Sequence, residues 1–223
     1  LVIDSSDDAI HSNGTVTING GEITIASGDD GVHADTKLEI NGGAIAIAKS
    51  YEGLESAVIV IHDGNIHVAA SDDGLNVAGG ADGSAMGGRP GQGMFNASSG
   101  QYLEITGGYL AVDAQGDGLD SNGTIKMSGG TAIVNGPTSN GNGALDHAGF
   151  QMTGGFLLAV GSAGMAQAPD ASSTQYALMA NLNSAQAAGA LVHIQSQDGK
   201  QVLTFAPTKP YQSVVFSSPD LQK

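Results

Sequence analysis

The sequence predicts an all-β fold: a parallel β-helix of about six turns, with about 22 residues and three short strands in each turn. Two repeated marks carry this prediction. A Gly or Ala followed by an aliphatic residue recurs along the chain, and a Gly-Gly or Asp-Gly corner recurs between two short alternating segments. Apolar side chains at every second position are typical of strands. A β-meander sandwich has no reason to keep this register, and no segment shows the 3.6-residue apolar period of a helical solenoid.

The first mark sets the period of the repeat. Its aliphatic positions are Ile10, Val32, Leu54, Leu75, Leu119 and Leu145. They lie about 22 residues apart, except for a step of about twice that length after Leu75. The longer step indicates an insertion within one turn. We place it at residues 78–101, a segment rich in Gly, Ala and Ser, as a surface loop. It is either a tolerated insertion or a wall over a binding face.

The second mark places two strands in each turn, one on each side of the corner. In the first turn these are Thr15–Ile18 and residues 22–25. Equivalent residues of neighbouring turns are expected about 4.8 Å apart, the spacing of strands in a sheet. One inward ladder should hold Ile18, Ile40, Ile61, Ile105, Met127 and Met152, and another Ile25, Ile47, Val68 and Val112. A single turn cannot bury its own core, so the stack is the cooperative unit.

The repeat ends near residue 161, which divides the predicted domain into two parts. Residues 1–161 form the β-helix, and residues 162–223 form a linker and capping strands of the same domain. Strand-like segments are expected at 176–181, 190–195, 201–205 and 213–216, with a hairpin turn at Asp198-Gly199. Such strands would hide the open edge of the sheet. The chain has the ends expected of an excised domain or a processed mature protein.

Composition excludes several classes of function. The net charge is -15, with only 7 Lys and Arg against 22 Asp and Glu. Too few cations are present to neutralise the phosphates of a nucleic acid or an anionic membrane surface. No apolar run reaches the 18 residues of a membrane-spanning segment, so no membrane insertion is expected. The chain has no Cys, which excludes disulfides and thiolate metal sites.

Acidic and amide side chains keep the same positions in successive turns. Three adjacent columns result, built mainly from Asp7, Asp29, Tyr51 and Asp72; from Asp8, Asp30, Glu52, Asp73 and Asp117; and from His11, His33, Glu55, Asn76, Asp120 and Asp146. Carboxylates stacked at about 5 Å repel one another by about 1 kcal/mol or more. A fold that aligns so many of them must neutralise their charge.

Calcium is the cation that fits these columns, because the ligands are oxygen atoms and the geometry is flexible. We expect two or more Ca²⁺ ions. The strongest groups are Glu52, Glu55, Asp72, Asp73 and Asn76; Asp73 with Asp117 and Asp120; and Asp7, Asp8, Asp29 and Asp30. The alternative is a solvated acidic edge whose Asp-Asp-Gly segments favour turns. His11 and His33 are interpreted as stacked surface histidines rather than ligands of a transition metal.

Most catalytic arrangements are missing from the sequence. It has no Gly-x-Ser-x-Gly elbow and no phosphate-binding loop followed by Lys-Ser or Lys-Thr. A glycoside hydrolase with paired carboxylates stays open. A lyase of acidic polysaccharides would need calcium and a cationic base. The candidate bases are Lys37, Lys49, Arg89 and Lys126. Lys49 is the best of them, and its alternative role is that of a charge partner for the acidic edge.

Several motifs resemble those of a family of secreted carbohydrate-binding proteins of cellulolytic bacteria. They are Asp-Asp-Ala-Ile-His-Ser-Asn-Gly at 7–14, Asp-Asp-Gly-Val-His-Ala-Asp at 29–35, and an ending with Asp-Gly-Lys at 198–200 and Ser-Ser-Pro-Asp-Leu at 217–221. The resemblance implies a right-handed parallel β-helix, similar in fold to the family 9 pectate lyases, with calcium on its Asp-rich turns. It also implies an extracellular or cell-surface location on a bacterium. The implied calcium ligands are Asp72, Asp73, Asn76, Asp117 and Asp120.

The resemblance further implies binding of cellulose and polygalacturonate-like polymers without lyase activity. Where lyases of this fold have Asp-Asp-x-x-Asp, this chain has Asn76 in the last position, which puts catalysis in doubt. We therefore expect a noncatalytic, calcium-dependent binder of plant cell-wall polysaccharide, chiefly pectin and with cellulose as a further polymer. Tyr51, Lys49 and Arg89 are the expected contacts to the ligand. The alternatives are a calcium-dependent pectate lyase that uses Lys49 and a surface protein that calcium only stabilises.

Overall fold

The protein, seen in a computed structural model, is built from β-strands throughout the part described, residues 1–78 and 100–221. Those residues contain no helix, and so none with the length and apolarity to cross a membrane. The strands are β1 (Val2–Asp4), β2 (Ile10–Ser12), β3 (Thr15–Ile18), β4 (Glu22–Ala26), β5 (Val32–Ala34), β6 (Lys37–Ile40), β7 (Ala44–Lys49), β8 (Leu54–Ser56), β9 (Val58–Ile61), β10 (Asn65–Ala70), β11 (Leu75–Val77), β12 (Tyr102–Ile105), β13 (Tyr109–Ala114), β14 (Leu119–Met127), β15 (Thr131–Asn135), β16 (Leu145–Met152), β17 (Phe156–Gly161), β18 (Ala177–Gln186), β19 (Val192–Gln195), β20 (Gln201–Phe205) and β21 (Tyr211–Ser217).

Parallel strands of successive turns stack on three faces. One face contains β1, β4, β7, β10, β13, β15 and β17. A second begins with β2, β5, β8 and β11, and a third with β3, β6, β9 and β12. The long strands β14 and β16 pair with each other along both of these faces, across a register shift between Ser121 and Thr124. The predicted parallel β-helix, with about 22 residues in each of about six turns, is confirmed.

The predicted ladders are present in register. Ile18 pairs with Ile40, and the column continues to Met152. Ile25 likewise begins a column that continues to Val112. Leu75 pairs directly with Leu119, so the longer step in the repeat lies within a single turn. The predicted loop 78–101, with Arg89, lies outside the described residues except at its two ends.

The interior leaves no room for a side chain where two turns approach closely. Gly31, Gly53, Gly74 and Gly118 occupy one column directly before the inward aliphatic residues. A Cβ atom on Gly74 would lie 2.3 Å from Val112 Cγ1 and 2.5 Å from the Gly118 carbonyl oxygen. The Gly of the first repeat mark is therefore a packing requirement.

The C-terminal strands cover one edge of the stack. Strand β21 pairs antiparallel with β17, and β18 pairs antiparallel with β21. Strands β19 and β20 form the predicted hairpin. They contribute to a second apolar cluster that buries Leu158, Val160 and Phe216. Strand β18 extends to Gln186, beyond the predicted 181, because its pairing with β21 continues past a register shift to Tyr211.

The predicted linker runs along the last strand of the helix. The Asp170 N–H donates to the Phe150 carbonyl oxygen at 2.8 Å, and the Phe150 N–H donates to Asp170 Oδ2 at 3.0 Å. The Met152 N–H donates to Ser173 Oγ at 3.0 Å. These bonds satisfy polar groups on the open edge of β16. The division of the domain at residue 161 stays a prediction.

Candidate metal centre

Asp side chains of one column bind the backbone of the next turn. Asp8 Oδ1 accepts the Asp30 N–H at 3.1 Å, and Asp30 Oδ1 accepts the Glu52 N–H at 3.3 Å. Further along the stack, Asp117 Oδ1 accepts the Gly143 N–H at 2.5 Å. Each bond satisfies an N–H group in the corner between strands. These bonds give the alignment of Asp residues in successive turns a structural cause, which the sequence did not predict.

Glu52 departs from this pattern. Its longer side chain accepts a hydrogen bond from Asn76 Nδ2, 2.7 Å from Glu52 Oε2. Burial, together with the nearby charge of Glu55, raises the pKa of Glu52. Asn76 is only 8% exposed, and its Oδ1 atom has no hydrogen-bond partner among the described residues. The amide thus leaves an unsatisfied oxygen beside the acidic columns.

The principal acidic group joins Asp73, Asp117 and Asp120, whose ligand oxygens all lie within 4.8 Å of one another. Burial is the largest cause that raises the pKa of Asp73 to about 8, and the charges of its acidic neighbours raise it further. Burial likewise raises the pKa of Asp120 to about 7 and that of Asp117 to about 6. None of the Lys residues described in the structure pairs with these carboxylates. Protons or a bound cation must offset their charge.

A second acidic group lies nearer the start of the stack. Asp7, Asp8 and Asp29 each place a carboxylate oxygen within 4.8 Å of the other two. Asp7 is exposed, and the other two are half-buried. The structure therefore brings together three of the four residues that the sequence grouped there, and Asp30 turns toward a different neighbour.

That neighbour is His33. The interpretation of His33 as a surface residue is wrong, because it is 2% exposed. Its Nδ1 atom lies 3.2 Å from Asp30 Oδ2 and 3.0 Å from Glu55 Oε2. His11 has the expected exposure, and its ring centroid lies 4.8 Å from that of His33. His33 occupies the same column as Glu55 in the next turn. This shared position could have predicted that His33 lies beside acidic side chains.

Glu55 is one of the most deeply buried acids among the described residues. It is 1% exposed, and burial raises its pKa. Neither of its oxygens has a partner in hydrogen-bond geometry within the described residues, although Oε2 is close to His33. An ionised carboxylate buried in this way requires a nearby cation.

The predicted ligand contacts differ in their surroundings. A hydrogen bond to Asp72 is the largest cause that raises the pKa of the half-buried Tyr51. Lys49, at the end of β7, is exposed and forms no ion pair with the described acidic residues, so its alternative role as a charge partner is not observed. Arg89 lies outside the described residues.

Comparison with known proteins gives one family match. The model of a family described as carbohydrate-binding domain-containing proteins matches residues 1–31, which include β1–β4 and the acidic residues Asp7, Asp8 and Asp29. No curated protein and no solved structure matches the chain. The family match indicates a carbohydrate-binding role.

Proposed function

We propose that the protein binds acidic plant cell-wall polysaccharide through calcium ions held in its acidic columns, without cleaving the polymer. The family match supports the carbohydrate ligand. The observation that carries the calcium dependence is the group of Asp73, Asp117 and Asp120, three half-buried carboxylates without a cationic partner among the described residues.

Calcium fits this group better than other common cations. Its ligands are carboxylate oxygens, and Ca²⁺ accepts six to eight oxygens in a flexible arrangement. Asn76 pairs with Asp120 in register, and its unsatisfied Oδ1 atom offers a neutral oxygen close to the carboxylates. The half-buried Asp72 adds negative charge that raises the pKa of both Asp73 and Asp120. Asp7, Asp8 and Asp29 would hold a second ion near the start of the stack.

The charge of the protein supports a bridging role for the metal. A chain with a net charge of -15 repels a polyuronate. A bound Ca²⁺ with an open coordination position makes the local charge positive and can bind a carboxylate of the polymer. Polygalacturonate is therefore the proposed ligand, with cellulose as a further polymer, and an extracellular or cell-surface location follows from such a ligand.

Native affinity electrophoresis in gels cast with polygalacturonate tests this function. We expect retardation with calcium and free migration with chelator, over an intact polymer background. Asp120→Asn should abolish the retardation. Glu104→Gln, a matched loss of charge on β12 opposite Lys126, should not.

The other outcomes separate the alternatives. A cleared zone around the band, lost in Lys49→Ala, would establish a lyase. Unchanged mobility in every gel, combined with a large fall in melting temperature on chelation, would leave calcium with a purely structural role. Calcium-independent retardation in cellulose gels would keep the carbohydrate ligand and overturn the role of the metal.

A further inference from the structure

One nitrogen and three carboxylate oxygens converge around His33. The Nδ1 atom of His33 lies 3.0 Å from Glu55 Oε2, 3.2 Å from Asp30 Oδ2 and 3.7 Å from Asp8 Oδ2. We propose that Asp30, His33 and Glu55, whose ligand atoms all lie within 4.8 Å of one another, form a transition-metal site of the zinc type, separate from the groups proposed to hold calcium. A tetrahedral ion with bonds of about 2.0–2.1 Å separates its ligand atoms by about 3.3 Å, which is close to the distances from His33 Nδ1 to Glu55 and Asp30.

The other nitrogen of the ring also lies beside a carboxylate. His33 Nε2 lies 3.3 Å from Asp35 Oδ1. A neutral imidazole carries one N–H, and Asp35 is placed to accept it from Nε2. In that tautomer Nδ1 presents a lone pair to the carboxylates, and a cation bound between them would stabilise the arrangement. A metal-bound His usually donates its second ring N–H to a carboxylate in this way.

Glu55 gives an independent indication of a ligand. Its side chain is 1% exposed, and neither oxygen has a partner in hydrogen-bond geometry among the described residues. The carboxylate nevertheless points toward His33 Nδ1. Burying an unsatisfied carboxylate is costly, and a coordinated cation would remove that cost.

The imidazole distinguishes this site from the all-oxygen groups. Calcium prefers oxygen ligands, whereas imidazole nitrogen suits Zn²⁺, Cu²⁺ and Ni²⁺. A second imidazole, His11, lies on the exposed side of the group. Its Nδ1 atom is 2.7 Å from Asp8 Oδ2. His11 therefore either orients Asp8 or supplies a further nitrogen to an ion entering from solvent.

The test is calorimetric titration of chelator-treated protein with Zn²⁺ in the presence of saturating Ca²⁺. We expect uptake of one Zn²⁺ per chain that calcium does not displace. Asp35→Asn should weaken Zn²⁺ binding by about 10- to 100-fold, because it removes the acceptor that orients His33. Glu55→Gln should weaken it at least as much. Asp120→Asn, a matched change two turns further along the same column, should weaken Ca²⁺ binding and leave Zn²⁺ binding unchanged.

Two further measurements keep the proposal testable if a variant fails to fold. Far-UV circular dichroism checks each variant, and wild-type protein loaded with Co²⁺ should show the visible absorption of a four-coordinate ion with nitrogen and oxygen ligands. Absence of Zn²⁺ uptake by the wild type would overturn the site. It would indicate instead that His33 carries a proton on Nδ1 and pairs with the carboxylates as an imidazolium. Equal Zn²⁺ affinity in wild type, Asp35→Asn and Glu55→Gln would also overturn it.

Discussion

Asp73 Oδ1 accepts the backbone N–H of Asp117 across 2.6 Å, although the two residues belong to successive turns of the stack. This bond uses only Oδ1, so the second carboxylate oxygen of Asp73 does not take part in it. One acidic side chain can thus hold two turns together and still offer a ligand atom to a cation. This double role links the stability of the stack to the proposed metal site.

Two substitutions at Asp73 should separate these roles. Asp73→Asn keeps an oxygen that can accept the Asp117 N–H but removes one negative charge, so calcium affinity should fall by about tenfold or more while the fold persists. Asp73→Ala also leaves the Asp117 N–H without its partner, which should cost about 1–3 kcal/mol. Calcium titration and denaturant unfolding in chelator measure the two effects. Equal stability of the Ala and Asn variants would contradict the structural role.

The carboxylates of Asp73 and Asp120 should give the metal-free protein an unusual dependence on pH. Their pKa values in the folded state, about 8 for Asp73 and about 7 for Asp120, exceed the ordinary value of 3.8. Between about pH 4 and pH 8 the folded state therefore binds more protons than the unfolded chain, and its stability falls as the pH rises. In chelator, the melting temperature should be higher at pH 5 than at pH 8.

Calcium should reverse this dependence, because it binds the ionised carboxylates of the folded state. Asp120→Asn is the control, since it removes one of the groups that titrate and should reduce the slope in chelator. Thermal unfolding monitored by circular dichroism across this pH range, with calcium and with chelator, provides the measurement. A flat profile in chelator would show that these carboxylates have similar pKa values in the folded and unfolded states, which would contradict the prediction.

The glycine column makes a prediction about packing. Gly74→Ala places a Cβ against Val112 and the backbone of Gly118, and such overpacking should destabilise the fold by about 1–3 kcal/mol or more. Gly14→Ala is the control, because the nearest atom to its Cβ is Ser12 Oγ at 3.9 Å. Urea unfolding of both variants compares them. Similar midpoints would show that the turns can move apart without cost.

The C-terminal strands should contribute strongly to stability. Phe216 is fully buried and meets Phe156 edge to face, with ring centroids 5.4 Å apart. Phe216→Ala should cost about 3–5 kcal/mol, as expected for a large cavity. Met179→Ala on the neighbouring β18 removes a side chain that is 47% exposed and should change stability by about 0.5 kcal/mol or less. If calorimetry finds the same melting temperature for both, β21 is not coupled to the stack.

The fold was predictable because every turn repeats the same constraints. Inward residues such as Ile18 and Ile40 recur at a fixed spacing, and only a stacked arrangement satisfies that spacing in all turns. The C-terminal part was less predictable. The end of β18 at Gln186 depends on its partner β21, which is distant in sequence.

The acidic site was predictable as a set of columns but not as separate groups. Asp73 and Asp120 lie where their columns place them, and the structure brings them together with Asp117. Asp30 belongs to the same column as Asp73, yet it faces an imidazole. Side-chain direction decides this difference, and it depends on neighbours in adjacent turns.

The sequence by itself determined the stacking register, the identity of the inward ladders and the alignment of acids on one edge, because all three follow from the period of the repeat. Only the tertiary structure decided which polar residues are buried. His11 and His33 occupy equivalent places in similar motifs, yet their side chains are 42% and 3% exposed. Strand β2 lies at the edge of its sheet, whereas β5 lies between β2 and β8. His33 therefore has turns on both sides that exclude water, and the carboxylates of those turns surround its ring.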